Sequence, residues 1–68
     1  MSDIKPALLK VREAAHYLSL SEWEIRRLCS IGVLERRYVG DGARFYRVTT
    51  KSLDRYVASL SADPVEAR

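Results

Sequence analysis

Two short apolar stripes of helical period, on helices only three residues apart, constrain this chain more than any other feature. Val11, Ala14, Ala15 and Leu18 recur at i, i+3, i+4 and i+7, the spacing of one buried helix face. Ser19-Leu20-Ser21 interrupts the pattern, and Ile25, Leu28 and Cys29 resume it. Ser21 with Glu24 three residues on reads as a capping box, and Leu20 with Ile25 as the matching hydrophobic staple. These signals predict a first helix over 11–18 and a second from residue 22. Gly32 is placed to stop the second helix as a left-handed residue beyond its end. Two helices joined this tightly form a helix-turn-helix, with the second helix offered outward.

Past Gly32 the period changes to two. Leu34, Arg36 and Tyr38 share one face, and Glu35, Arg37 and Val39 the other. In the second run Tyr46 and Val48 share a face, opposite Phe45 and Arg47. Gly40-Asp41-Gly42 between the runs is a hairpin-turn signal, so residues 33–48 read as a two-stranded hairpin. Tyr38 and Tyr46 are expected in the core, beside Leu34 and Val48. Thr49 or Thr50 then caps a third helix, whose stripe is Leu53, Tyr56, Val57 and Leu60. The fold class expected is mainly α with a two-stranded β-hairpin: a winged helix-turn-helix in the order helix, helix, strand, strand, helix. Residues 1–8 read as an N-terminal arm, 9–60 as the domain and 61–68 as a flexible tail.

Length decides what else is open to such a fold. Sixty-eight residues make one domain with a thin core. The single cysteine excludes an internal disulfide. His16 and Cys29 are too isolated for a four-ligand zinc site, so no metal is expected. His16 lies off the first stripe and reads as surface, and Cys29 lies on the second stripe and reads as core. Gly40 and Gly42 belong to the hairpin tip, not to a phosphate loop. No catalytic residue, cofactor or small-molecule ligand is expected, and the chain does not read as an enzyme. There is no run of 18 apolar residues and no leader pattern, so the expectation is a soluble intracellular domain with no membrane partner.

Charge placement carries the functional reading. The whole chain has a net charge of +3, yet residues 26–47 hold six arginines against Glu35 and Asp41. A basic block in a small domain is a candidate phosphate footprint. On a helical wheel of about 100° per residue, Trp23, Arg26, Arg27 and Ser30 point away from Ile25, Leu28 and Cys29, with Glu22 at the edge. Glu22, Trp23, Arg26, Arg27 and Ser30 are therefore the candidate recognition-helix residues for double-stranded DNA, since an α-helix fits the major groove. Arg36, Arg37, Arg44 and Arg47 are the candidate wing residues, lying along phosphates or entering a narrow minor groove. The competing reading of these arginines is a solvated face, with Glu22 pairing to Arg26, and charged protection of sheet edges. For Trp23 it is a side chain folded back over Leu20.

These residues together resemble the small MerR-like winged helix-turn-helix domains of the excisionase family. The resemblance runs over residues 8–58. It rests on Glu13-Ala14-Ala15 with Leu18, the capped helix from Ser21 to Ser30, Gly32 with Leu34, the glycine-rich hairpin tip, Tyr46 and Leu53. It implies a recognition helix in the major groove and a wing in the adjacent minor groove. It further implies copies bound head-to-tail on bent DNA, steering a tyrosine integrase toward excision in the cytoplasm of a phage's bacterial host. The family's contact positions fall on Trp23, Arg26, Arg27 and Arg44. This chain departs from the pattern at Lys10, where relatives cap the first helix with Thr or Ser. It departs again at Trp23, where a small or polar residue is usual. Two other functions fit the same pattern of residues: a small prophage-type transcriptional regulator, and a protein-interaction module anchored by Trp23. About eight residues follow the third helix, too few for the dimerisation helix of larger MerR-type regulators. Head-to-tail cooperativity on DNA would supply affinity in its place.

Overall fold

The computed structural model describes residues 5–40 and 45–62. The elements are β1 (Leu8–Leu9), α1 (Val11–Leu18), α2 (Glu22–Ser30), β2 (Arg36–Tyr38), β3 (Tyr46–Thr49) and α3 (Thr50–Ser59). Both helices of the helix-turn-helix run as their stripes predict. The expected hairpin pairs antiparallel, with Arg36 opposite Val48, Arg37 opposite Arg47 and Tyr38 opposite Tyr46. The tip residues Asp41 and Gly42, and Arg44 beside them, lie outside the described residues.

The sheet has a strand that the sequence does not predict, spanning the last residue of the expected arm and the first residue of the expected domain. β1 pairs antiparallel with β3, Leu8 opposite Thr49 and Leu9 opposite Val48, giving the order β1-β3-β2. Two residues are too few for a period-two signal, so only pairing with β3 reveals the strand. The Thr50 amide donates to the Ala7 carbonyl at 2.9 Å, and the Thr50 hydroxyl donates to the Pro6 carbonyl. The segment before α1 is thereby fastened to the start of α3.

Each helix of the pair carries half of a capping box. At α2, Ser21 Oγ accepts from the Glu24 amide at 3.1 Å. At α1, Glu13 Oε1 accepts from the Lys10 amide at 2.9 Å, so an acidic side chain compensates for the lysine at the cap position. The reciprocal half expected at α2 is replaced. The Glu24 carboxylate accepts instead from Arg27 Nε and Nη2, at 3.3 and 2.7 Å. A two-point ionic contact is stronger than a bond to a neutral amide.

The core is small and built from every layer. Ala14 and Ala15 of α1 meet Ile25, Leu28 and Cys29 of α2, closed by Leu34, Val48 and Leu53. The two alanines let α1 approach α2 closely; larger side chains would force the helices apart. Leu9, Val11, Leu18, Leu20, Tyr46 and Tyr56 pack around this cluster. Ser52, fully buried, ties α3 to the sheet. Its hydroxyl accepts from the Glu35 amide at 3.1 Å and donates to the Thr49 carbonyl at 2.9 Å. Thr49 is the helix cap, its Oγ1 accepting from the Ser52 amide at 3.2 Å.

Two expectations about burial are corrected. Tyr38 is exposed rather than core; it meets the half-buried Tyr46 edge-on, with centroids 5.7 Å apart at 65°. It stands on the outer strand of the hairpin, beyond the reach of the helices. Of the expected α3 stripe, Leu53 is buried and Tyr56 half-buried, but Val57 and Leu60, the latter just past the helix end, are exposed. β3 runs directly into α3, so the first turns of the helix cover the core and the last turn passes beyond it.

Candidate nucleic-acid interface

The outward face of α2 follows from its buried face. Ile25, Leu28 and Cys29 are each at most 5% exposed. Their anchoring turns Glu22, Trp23, Arg26, Arg27 and Ser30 to solvent. Trp23 is 67% exposed, so it does not fold back over Leu20. Its ring instead faces the Arg27 guanidinium, with Cζ 6.0 Å from the centroid, within the range of a cation–π contact.

The arginines of this face are paired. Arg26 Nη2 lies 3.3 Å from Glu22 Oε1, the i,i+4 pair that the solvated-face reading anticipates. Arg27 is bound to Glu24, which holds the Glu24 carboxyl below the usual carboxylate range and raises the guanidinium. Sequence reasoning gave Glu24 to the cap and so missed its contact with Arg27. The i,i+3 spacing was the available signal.

The wing arginines divide between the two faces of the hairpin. Arg36 shares the inner face with Val48, and its Cζ lies 5.4 Å from the Tyr46 ring centroid. Arg37 lies on the other face, with Nη2 2.5 Å from Glu35 Oε2. Arg47 is opposite Arg37 and half-buried, with Nη1 donating to the Tyr46 carbonyl at 3.2 Å. Arg44 lies outside the described residues. Exposed Tyr38, expected in the core, and Phe45, on the face opposite Tyr46 and Val48, add aromatic surface to the hairpin.

Cys29 is a free buried thiol, its pKa pushed up chiefly by burial and opposed by the Arg36 charge. A raised thiol pKa keeps the sulfur protonated and weakly nucleophilic. His16 is exposed on α1. Among the described residues no three His, Cys, Asp or Glu side chains gather as a metal cluster. No helix among them is long and apolar enough to cross a membrane.

A tight helix-turn-helix with an outward arginine-bearing second helix, followed by an antiparallel hairpin and a third helix, defines a winged helix-turn-helix, a DNA-binding class of domain. The family model described as "Helix-turn-helix domain" matches residues 8–61, and the chain belongs to that family, which includes DNA-binding domains of excisionase-like proteins. No curated protein matches the chain in a sequence comparison.

Proposed function

We propose that this protein is a phage excisionase, which binds and bends specific DNA and so sets the direction of integrase-mediated recombination. The observation that carries the reading is the exposed set Trp23, Arg26, Arg27 and Ser30 on the second helix of the pair. From Trp23 to Ser30 the helix advances about 10 Å, the length of about three base-pair steps. In this reading α2 lies in the major groove. Arginine offers the donor fork that matches guanine O6 and N7, and Trp23 supplies an apolar surface for a thymine methyl or the sugar edge. Arg36, Arg37, Arg44 and Arg47 of the hairpin serve the neighbouring phosphates and a narrowed minor groove, where bending concentrates negative potential. Copies bound head-to-tail and a tyrosine integrase are the partners, in the cytoplasm of the bacterial host.

Gel mobility with the binding site permuted along a duplex tests the bending, and an excision assay with the integrase tests the outcome. Position-dependent mobility and stimulated excision are expected. Unbent DNA carrying one monomer overturns the architectural role. If transcript levels from an adjacent promoter change while recombination does not, the protein is a transcriptional regulator on the same fold. The exposure of Trp23 favours one further reading, an anchor for a protein partner. That reading requires little affinity for DNA and little dependence on salt.

A further inference from the structure

Each arginine on the outward face of α2 already holds a carboxylate, and the two pairs differ in quality. Glu22 and Arg26 make one contact at 3.3 Å between two well-exposed side chains, the kind of pair that water and salt dissolve easily. Glu24 and Arg27 make two contacts, at 3.3 and 2.7 Å, and the Glu24 side chain is only 26% exposed. Arg27 is further restrained by the Trp23 ring. Glu24 is not needed to cap the helix, because the Ser21 hydroxyl bonds to its backbone amide and not to its carboxylate.

A guanidinium held this way distinguishes a phosphate from a base. When Arg27 approaches a phosphate, Glu24 arrives with it. Two anions then lie well within the ~8 Å over which physiological salt screens charge. A guanine edge accepts the same hydrogen bonds without a full negative charge, and a neighbouring cytosine N4 amine donates to a carboxylate. We infer that Glu24 is a specificity-determining residue, which withholds Arg27 from phosphates and keeps it for a base edge. Arg27 in turn keeps Glu24 ionised below the usual carboxylate range, so the filter persists in mild acid. The inference rests on α2 being the DNA-reading helix.

The test uses the full chain and two short duplexes: a random-sequence pool, and the sequence recovered from that pool by repeated selection on the wild-type chain. Glu24→Gln preserves the shape of the side chain and the Ser21 cap while removing the charge. Affinity for random DNA is expected to rise about tenfold, with a salt slope steeper by about 0.9, the signature of one more phosphate neutralised. Affinity for the selected duplex rises less, so the ratio between the two falls. Glu24→Asp, which keeps the charge, restores the low affinity for random DNA. Glu22→Gln changes the ratio much less, because Arg26 is weakly held. An unchanged ratio in Glu24→Gln, or an equal fall in Glu22→Gln, overturns the inference while leaving DNA binding intact. Failure of the wild-type chain to enrich any sequence overturns the reading of α2, and the inference with it.

Discussion

Ser19 and Gly32 occupy the same position in two successive copies of one helix-ending motif. Both are left-handed, with φ of 58° and 85°. After α1, the Leu20 amide donates to Ala15 at 2.9 Å and the Ser19 amide to His16 at 3.2 Å. After α2, the Val33 amide donates to Leu28 at 2.9 Å and the Gly32 amide to Cys29 at 3.2 Å. This is the Schellman pattern twice over, closing both helices of the pair and setting the angle at which α2 leaves α1. Only the second copy uses the residue that the conformation favours. Ser19 bears a left-handed penalty of about 1 kcal/mol. Ser19→Gly should therefore raise unfolding free energy by up to about 1 kcal/mol, an increase of about 4–8 °C in Tm for a domain of this size. Gly32→Ala should lower stability by a similar amount. A Cβ at Gly32 meets no atom within 4 Å, so the cost there is backbone strain alone. Thermal melts of the two variants check both signs.

Ser52→Ala removes the hydroxyl that bridges β3, α3 and the start of the hairpin. The Glu35 amide then loses its partner at 3.1 Å. A buried donor left unsatisfied costs about 1–3 kcal/mol. Urea denaturation is expected to show a loss in that range with an unchanged m-value.

Lys5, Tyr17 and Asp54 fasten the segment before β1 to α1 and α3. Lys5 Nζ donates to Asp54 Oδ2 at 2.6 Å and to the Tyr17 hydroxyl at 3.1 Å, and Tyr17 donates to Asp54 Oδ1 at 2.6 Å. The Lys5 and Tyr17 bonds hold Asp54 below the usual carboxylate range, and the Asp54 bond raises Lys5 above the usual amine range. A depressed carboxyl stabilises the fold above its unfolded pKa, and this support is lost as pH falls through the folded value. A raised amine stabilises below its unfolded pKa and is lost as pH rises through the folded value. The clasp is thus complete at neutral pH and fails at both extremes. Asp54→Asn should flatten the acid limb of the stability curve and speed amide exchange at Leu9. Unchanged exchange there would separate the clasp from the pairing of β1.

Arg27→Ala should weaken binding to the selected DNA site by about ten- to a hundred-fold, the range for losing one two-point base contact, with a smaller effect on random DNA. Arg44→Ala should weaken binding to all sequences alike and reduce the salt slope by about 0.9. Titrations at several salt concentrations separate the two behaviours. A sequence-independent effect of Arg27→Ala would assign that side chain to phosphate.

Local patterning by itself determined α1, α2, the start set by Ser21, the stop at Gly32 and the solvent-facing side of α2; for α3 it offered Thr49 or Thr50 as the cap, and the structure chose Thr49. Each rests on residues within one or two turns, where periodicity and capping act without help from distant chain. The hairpin and the two faces of its strands followed in the same way from alternation on either side of the glycine-rich tip, whereas its register of Arg36 with Val48 and Tyr38 with Tyr46 was set by the folded sheet. Tertiary structure decided the rest. Leu8 and Leu9 become a strand only because β3 offers an unpaired edge, and the exposure of Tyr38, Val57 and Leu60 depends on how far the helices reach across the sheet. Glu24 had two possible partners within one helical turn, the Ser21 amide and the Arg27 guanidinium. The ionic contact prevailed because it is charge-assisted and two-pointed, whereas a spacing rule names both partners without ranking them.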